Sequence, residues 1–186
     1  MLQGRGMTGQ MLKTPPWDRI ILTGFRGTGK STVGRKIATL TGFIFIDTDD
    51  TLEQEMGCTV CDYVKRAGWP AFREGERRLL ARLADVRHAV LATGGGAIIH
   101  RAEWRKLRAN SRVVWLRAEA RTIRQRLDKD SGTATQRPSL TGCDPLTEIA
   151  TVLAEREPLY RAGSDVSIET DGLTEDQIAA RIGELL

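Results

Sequence analysis

The chain has 186 residues, a net charge of +4 and 28% charged residues, as expected for one globular domain of ordinary size. No apolar run approaches the roughly 20 residues that a membrane-spanning helix needs, which argues against an integral membrane protein. The basic residues alternate with acidic ones and never form a block of five. A solvated basic surface, or attraction of small anionic substrates, is therefore favoured over nucleic-acid binding.

Residues 1–18 show no hydrophobic periodicity and contain Pro15-Pro16. They predict a disordered or loosely attached leader, followed by a single domain over residues 19–186. The leader lacks the apolar core of about 7–15 residues that a secretory signal peptide has, so we expect a cytoplasmic protein.

The segment Gly24-Phe25-Arg26-Gly27-Thr28-Gly29-Lys30-Ser31 matches G-x-x-x-x-G-K-[ST], the pattern of a phosphate-binding loop. The apolar stretch Arg19–Thr23 before it predicts a buried parallel strand, and the apolar spacing after it predicts a helix over Ser31–Leu40. Strand, glycine loop and helix in this order are the context in which the pattern binds nucleotides. We therefore predict a nucleotide site whose phosphates are surrounded by Gly27, Thr28, Gly29, Lys30, Ser31 and Thr32.

Anion capture explains the composition of this loop. Gly24, Gly27 and Gly29 allow backbone dihedrals that residues with a Cβ avoid, so successive N–H groups can point toward phosphate oxygens. The following helix adds its free N–H groups and the positive end of its dipole. We expect Lys30 to reach the β- and γ-phosphates and the Ser31 hydroxyl to ligate Mg²⁺.

Acidic residues follow the second predicted strand, Phe43–Ile46. Carboxylates just beyond the carboxyl end of a strand in an open α/β sheet lie where ligands bind. Asp47 is expected to bind Mg²⁺ directly or through water, or to act as the N-cap of a helix. Asp49 or Asp50 is expected to face a substrate hydroxyl.

The third predicted strand, Ala89–Thr93, ends in Gly94-Gly95-Gly96. Three glycines at the carboxyl end of a strand indicate a close approach to the backbone, and at this edge of a sheet a ligand is favoured over a packed helix. Many phosphate-loop proteins place a metal-binding Asp at the end of such a strand. Thr93 occupies that position here, which makes Asp47 the better metal candidate.

The remaining elements complete an alternating βα pattern. Helices are predicted over Thr51–Glu55, Thr59–Arg66, Ala71–Ala84, Arg101–Ala109, Glu119–Leu127, Asp144–Glu157 and Thr174–Leu185, with a break at Gly68-Trp69-Pro70. Strands are predicted over Arg112–Leu116 and Val166–Ile168, and the polar stretch 128–145 predicts a functional lid. Short helical crossovers imply a parallel sheet covered on both faces, so we predict a three-layer α/β/α domain with five strands.

Three cysteines, Cys58, Cys61 and Cys143, raise the question of a disulfide or metal site. A zinc site needs about four ligands, and the histidines His88 and His100 lie far from Cys58-x-x-Cys61 in sequence. Ordinary reduced cysteines are therefore expected.

Taken together, these motifs resemble the shikimate kinase family, in order and over nearly the whole chain from Ile20 onward. The resemblance rests on the phosphate loop through Gly34 and on Asp47-Thr48-Asp49, Phe72-Arg73 with Glu76, Thr93-Gly94-Gly95-Gly96, Arg137-Pro138 and Glu155-Arg156-x-Pro158-Leu159-Tyr160-Arg161. The first motif is shared by many nucleotide-binding proteins, whereas the combination of the later ones is specific. The resemblance implies a P-loop kinase fold with strand order 2-3-1-4-5 and a mobile lid. The implied activity is ATP-dependent phosphorylation of the 3-hydroxyl of shikimate, a step in aromatic amino-acid biosynthesis.

The resemblance also implies which residues bind the acceptor. Asp49 holds the ring hydroxyls and orients or deprotonates the attacking one. Arg73 and Arg161 grip the carboxylate, because the planar fork of arginine matches a carboxylate in two parallel hydrogen bonds. The backbone of Gly94-Gly95-Gly96 contacts the same substrate, chiefly through N–H groups at Gly95.

On the donor side, the resemblance implies that Lys30 and the lid arginine Arg137 act on the transferring phosphate and that Arg126 stacks on adenine. Ser31 and Asp47 serve one Mg²⁺ ion. The expected partners are ATP and shikimate, without nucleic acid or membrane, and the expected state is a monomer.

Other functions remain open at this point. Gluconate kinases and nucleoside-monophosphate kinases share the loop and the fold, although Asp49 with Arg73 and Arg161 favours a small hydroxylated carboxylate as acceptor. A non-catalytic nucleotide-binding module is disfavoured because Asp49, Arg73 and Arg137 are all present. A nucleic-acid-binding ATPase would need an acidic strand end and a basic tract, and the sequence has neither.

Overall fold

Five parallel strands form the central sheet of the computed structural model, which describes residues 17–129 and 145–186. They are β1 (Arg19–Thr23), β2 (Ile44–Asp47), β3 (Ala89–Ala92), β4 (Ser111–Arg117) and β5 (Val166–Glu169). Their order is β2-β3-β1-β4-β5, and every neighbouring pair runs parallel, which confirms the predicted strand order. The chain switches direction across the sheet at β1, so the carboxyl end of β1 lies where ligands bind in open α/β sheets.

Helices cover both faces of this sheet. In the described residues they are α1 (Lys30–Thr41), α2 (Thr48–Met56), α3 (Val60–Leu83), α4 (Arg101–Leu107), α5 (Ala120–Lys129), α6 (Pro145–Gly163) and α7 (Glu175–Gly183), with a 3-10 turn at Ala97–Ile99. α1 packs against α7, whereas α3 packs against α2 and α4. The predicted three-layer α/β/α architecture is therefore confirmed.

Alternating side chains along each strand divide the core between the two faces. Ile20 and Leu22 of β1 pack with Ile37 of α1 and Ile178 of α7. Ile21, between them, packs on the opposite face with side chains of α3 and α4. The three central strands β3, β1 and β4 are largely buried on both faces, as expected for parallel strands that are covered by helices.

Helix α3 is interrupted where Gly68-Trp69-Pro70 predicts a break. Gly68 has φ of 81° and ψ of 164°, which lies outside the helical region and divides α3 into two segments. A positive φ is accessible to glycine at little cost. The segment after the break carries Phe72 and Arg73, which lie beside the glycines that follow β3.

The predicted end of helix α6 at Glu157 is wrong, because the helix continues through Pro158 to Gly163. Proline in a helix interior costs about 3 kcal/mol. The next turn is anchored by Tyr160, which is fully buried, stacks on Trp115 with ring centroids 5.6 Å apart and donates its hydroxyl to the Gly95 carbonyl oxygen at 2.6 Å. This tertiary packing offsets the unfavourable proline.

Several predicted features fall outside the described residues. They are residues 1–16 of the leader, most of the lid over 128–145 with Arg137, the helix cap at Asp144, and Cys143. Cys58 and Cys61 are free cysteines. Within residues 17–129 and 145–186, no helix has the length and apolar character needed to cross a membrane.

Candidate active site

The phosphate loop joins β1 to α1, and its glycines adopt the conformations that the sequence predicts. The value of φ is 134° at Gly24, 76° at Gly27 and 88° at Gly29. A side chain at Gly24 is also excluded sterically, because a Cβ there would lie 2.3 Å from the Leu116 carbonyl oxygen. The start of the loop is thus held against the end of β4.

Lys30 is the first residue of α1, and its side chain folds back into the loop. Its Nζ donates a hydrogen bond to the Phe25 carbonyl oxygen at 2.7 Å, and Thr28 Oγ1 donates to the same oxygen at 2.8 Å. Both side chains are buried. The ammonium group therefore lies within the loop, beside the backbone that a phosphate would approach.

Ser31 and Asp47, the two predicted metal ligands, lie side by side. Ser31 Oγ donates to Asp47 Oδ2 at 2.5 Å. Asp47 Oδ1 accepts the backbone N–H of Asp49 at 2.9 Å and of Asp50 at 3.4 Å, so Asp47 is also the N-cap of α2, as predicted.

This oxygen pair fits Mg²⁺, which prefers hydroxyl, carboxylate, phosphate and water oxygens. In the part of the chain that the structure describes, no cluster of three or more His, Cys, Asp or Glu side chains is arranged to hold a metal. An ion bound by Ser31 and Asp47 would therefore complete its coordination with phosphate and water oxygens, which is the usual arrangement for Mg²⁺.

An open cleft of about 410 Å³ surrounds the loop. Every predicted nucleotide-binding residue that the structure describes lines it, namely Gly27, Thr28, Gly29, Lys30, Ser31, Thr32 and Arg126. Arg126 of α5 donates to Thr170 Oγ1 at 2.9 Å, to the Thr170 carbonyl oxygen at 2.7 Å and to the Gly27 carbonyl oxygen at 3.3 Å. The Arg126 guanidinium thus connects the loop to Thr170, the residue that follows β5.

A second, narrower cavity of about 40 Å³ opens beside the glycine triplet. It is lined by the predicted residues Asp49, Arg73, Gly94, Gly95 and Gly96, and also by Arg26, Trp69, Phe72, Glu76 and Arg156.

The Arg73 guanidinium lies over the rings of Trp69 and Phe72, at 5.1 Å and 5.4 Å from their centroids. It also lies so close to Gly96 that a Cβ there would be 2.1 Å from Arg73 Nη1. At Gly96, the predicted close approach is therefore made by an arginine side chain.

A buried carboxylate, Glu76, fixes the orientation of Arg73. Glu76 is 1% exposed, and its Oε2 accepts from Arg73 Nη1 at 2.6 Å and lies 2.9 Å from His100 Nε2. Its Oε1 is buried without a hydrogen-bond partner and faces Gly94, where a Cβ would lie 3.0 Å away. A buried acceptor of this kind is costly unless a ligand supplies a donor.

The structure does not bring Arg161 to this cavity. The Arg161 side chain is 68% exposed and pairs with Glu157 at 2.8 Å on the outer surface of α6. Arg156, from the same motif, lines the cavity instead and donates to the Gly95 carbonyl oxygen at 3.0 Å. Arg156 precedes the buried Tyr160 by one helical turn, so the two share a face. Because the predicted helix ended at Glu157, the sequence did not place Arg156 and Tyr160 on one helical face.

Tyr160, which donates to the carbonyl oxygen of the cavity residue Gly95, gives the stability of the protein a testable pH dependence. Burial raises the pKa of the Tyr160 phenol to about 12, from 10.0. As the pH rises, the phenol ionises in the unfolded chain before it ionises in the folded protein. The contribution of the neutral, buried phenol to stability is therefore complete below pH 10 and declines between about pH 10 and 12. We expect the unsubstituted protein to lose about 1.4 kcal/mol more stability than Tyr160→Phe on going from about pH 9 to pH 11. Urea unfolding of both proteins at the two pH values measures this difference, and equal losses would contradict it.

Asp49 and Arg26 border both cavities. Asp49 follows the N-cap of α2, and its Oδ1 lies close to Gly94, where a Cβ would be 2.6 Å away. Arg26 projects from the loop and pairs with the buried Glu148 of α6 at 3.2 Å. Arg26 has no predicted role, although a charged residue at a variable position of the phosphate loop is a signal for one.

Comparisons with known proteins point to one enzyme family. The sequence model of the family described as shikimate kinase matches residues 26–186. A shikimate kinase of Moorella thermoacetica is 41% identical over 167 residues, covering 90% of this chain and 93% of the relative. The structure of an Acinetobacter baumannii shikimate kinase in complex with shikimate is 33% identical, with a TM-score of 0.84 over 91% of this chain and 92% of that one. A Bacteroides thetaiotaomicron shikimate kinase is 29% identical, with a TM-score of 0.79 over 90% and 97% of the two chains.

The family model begins within the phosphate loop at Arg26 and continues through α6 and α7 to the end of the chain, so the match includes most of the loop, the glycine triplet and the helix that carries Arg156. On this basis the chain belongs to the shikimate kinase family.

Proposed function

We propose that this protein transfers the γ-phosphate of ATP to the 3-hydroxyl of shikimate, giving ADP and shikimate 3-phosphate. The observation that carries the proposal is the position of Asp49, a carboxylate that borders both the phosphate-loop cleft and the arginine-lined cavity. A group at this junction can hold an acceptor hydroxyl in line with a donor phosphate. Phosphoryl transfer depends mainly on such positioning and on charge stabilisation.

The donor half of the site is the phosphate loop. Loop N–H groups and the start of α1 bind the phosphates, and Lys30 leaves the Phe25 carbonyl oxygen to contact the β- and γ-phosphates. Arg126 packs against the adenine. Mg²⁺, held by Ser31 and Asp47, would neutralise charge on the phosphates when bound. Arg137 lies outside the described residues and remains a prediction from the motif Arg137-Pro138.

The acceptor half is the narrow cavity. Arg73 binds the substrate carboxylate, and the second arginine is Arg156, because its guanidinium lines the cavity whereas that of Arg161 faces solvent. N–H groups of Gly95 and Gly96 bind ring hydroxyls, whereas that of Gly94 donates to Thr48 Oγ1 at 2.8 Å. Glu76 Oε1, buried and without a partner, accepts one further hydrogen bond from the bound acceptor.

Asp49 orients the attacking hydroxyl and accepts its proton. The carboxylate can do both because it is an acceptor-only group when ionised. The remaining expectations, a monomer in the cytoplasm with small-molecule partners, form part of the same proposal.

An ADP-release assay with three acceptors tests the proposal. We expect ATP- and Mg²⁺-dependent ADP release with shikimate, and only background release with gluconate or AMP. Two arginines beside Asp49 and the glycine triplet suit a small hydroxylated carboxylate, and membership of the shikimate kinase family favours shikimate over gluconate and AMP. Activity with gluconate or AMP in the absence of activity with shikimate would contradict the assignment.

A further inference from the structure

We infer that His100 is a positioning residue for acceptor binding and that it acts on Arg73 through the carboxylate of Glu76. The inference rests on the proposed function, in which Arg73 binds the acceptor carboxylate. His100 does not line the cavity, and no motif of the sequence pointed to it. It joins the site only through the fold, which brings residues 24 positions apart into contact.

The contact is short and shielded from water. His100 Nε2 lies 2.9 Å from Glu76 Oε2, and the two side chains are 11% and 1% exposed. The same oxygen accepts from Arg73 Nη1 at 2.6 Å. A carboxylate paired with arginine has no hydrogen to donate, so His100 Nε2 must be the donor in this bond.

Because Glu76 Oε2 accepts from both His100 and Arg73, Glu76 makes a single hydrogen bond with Arg73. Arginine can bind a carboxylate through two parallel N–H groups. His100 and Arg73 together hold Oε2, which leaves Oε1 facing Gly94 and not Arg73, so the other N–H groups of Arg73 stay available to the acceptor. Without His100, the Glu76 carboxylate could rotate and offer both of its oxygens to Arg73, which would draw a second N–H group of Arg73 away from the acceptor.

The backbone holds His100 in place for this role. His100 follows the 3-10 turn Ala97–Ile99; its N–H donates to the Ala97 carbonyl oxygen at 3.2 Å, and its carbonyl oxygen accepts from Trp104 N–H at 2.8 Å. The same turn begins at Gly96, on which the Arg73 guanidinium lies. One short segment therefore fixes Arg73 both by steric contact and, through Glu76, by a hydrogen bond.

Steady-state kinetics of His100 variants test the inference. We expect His100→Leu to raise KM for shikimate about fivefold to tenfold, the change that follows from losing one hydrogen bond of ordinary strength. The values of kcat and KM for ATP should stay within about twofold. His100→Gln, which retains a donor at a similar distance, should restore most of the affinity, whereas the shorter His100→Asn should resemble His100→Leu.

Two controls separate positioning from folding. His88→Asn removes the other imidazole of the chain, at the opposite end of β3, and should change no kinetic constant; asparagine tolerates the φ of 52° found there. In an Arg73→Ala background, His100→Leu should cause no further rise in KM for shikimate, because the residue through which it acts is gone.

Three results would overturn the role of His100. They are an unchanged KM for shikimate in His100→Leu and His100→Asn, an equal rise in His100→Gln, and a parallel loss of kcat and ATP affinity, which would indicate a structural role. All three results can be measured only if the unsubstituted enzyme phosphorylates shikimate. Failure of that enzyme to do so would overturn the proposed function itself.

Discussion

Replacing Asp49 with asparagine is expected to lower kcat by about 10²- to 10⁴-fold, the usual contribution of a general base. Asparagine has the same shape and keeps one acceptor oxygen, so the hydroxyl remains bound, but it cannot take up the proton. KM values for shikimate and ATP should therefore change by no more than about threefold, because the loss is confined to the transition state. Steady-state kinetics with each substrate varied in turn measure both quantities.

The neighbouring acid provides a matched control for this substitution. Asp50 lies on the same turn of α2, is exposed, pairs with Arg35 at 3.4 Å and lines neither cavity. Asp50→Asn should keep kcat within about twofold, since surface pairs of this kind contribute little. A decrease in kcat of less than about tenfold in Asp49→Asn would remove the proton-accepting role and leave only an orienting one.

The donor side of the site was predictable because its signals are local in sequence. One contiguous stretch, Gly24 to Ser31, contains the strand end, the glycines with positive φ, the lysine and the helix start. Asp47 and Asp49 follow a strand directly, and parallel strands bring their carboxyl ends to one edge of the sheet. The hydrophobic periodicity and the motif were therefore sufficient, and the structure places residues 26–31, Asp47 and Asp49 around one cleft.

The acceptor side was less predictable because it depends on which face of a helix turns inward. Arg156 and Arg161 occur in the same motif, and only the burial of Tyr160 determines that Arg156 points into the cavity. A proline usually ends a helix, and the predicted helix therefore stopped at Glu157. In the structure the packing of Tyr160 keeps the chain helical through Pro158 to Gly163. The Glu76–His100 contact likewise joins separate elements and leaves no periodic signal.

Arg19 illustrates the same limit outside the site. An arginine at the start of a strand is usually solvated, yet Arg19 is 3% exposed. Its guanidinium donates to the carbonyl oxygens of Ala84, Val86 and Ala109 and to Ser111 Oγ, at 2.5–3.0 Å. Burial lowers the pKa of the Arg19 guanidinium below its usual value. These partners lie at least 65 residues away, so a local sequence pattern carries no information about them.

Arg156→Ala is expected to raise KM for shikimate by about 10- to 150-fold, which corresponds to the roughly 1.5–3 kcal/mol of a hydrogen bond to a charged group. The fold should be retained, because the Gly95 carbonyl oxygen that accepts from Arg156 also accepts from Tyr160 at 2.6 Å. A thermal melt of the variant checks this point. The value of kcat at saturating shikimate should fall much less than kcat/KM, since the arginine binds the carboxylate in the ground state and in the transition state alike.

Arg161→Ala is the matched control, because it removes the same chemical group from the same helix, five residues further on. Its guanidinium is 68% exposed and contacts Glu157, so we expect KM for shikimate to stay within about twofold. The ratio of the two KM values therefore measures which arginine of the motif faces the acceptor. A larger effect for Arg161→Ala than for Arg156→Ala would contradict the geometry of α6. It would mean that acceptor binding rotates or reshapes this helix so that its outer face enters the cavity.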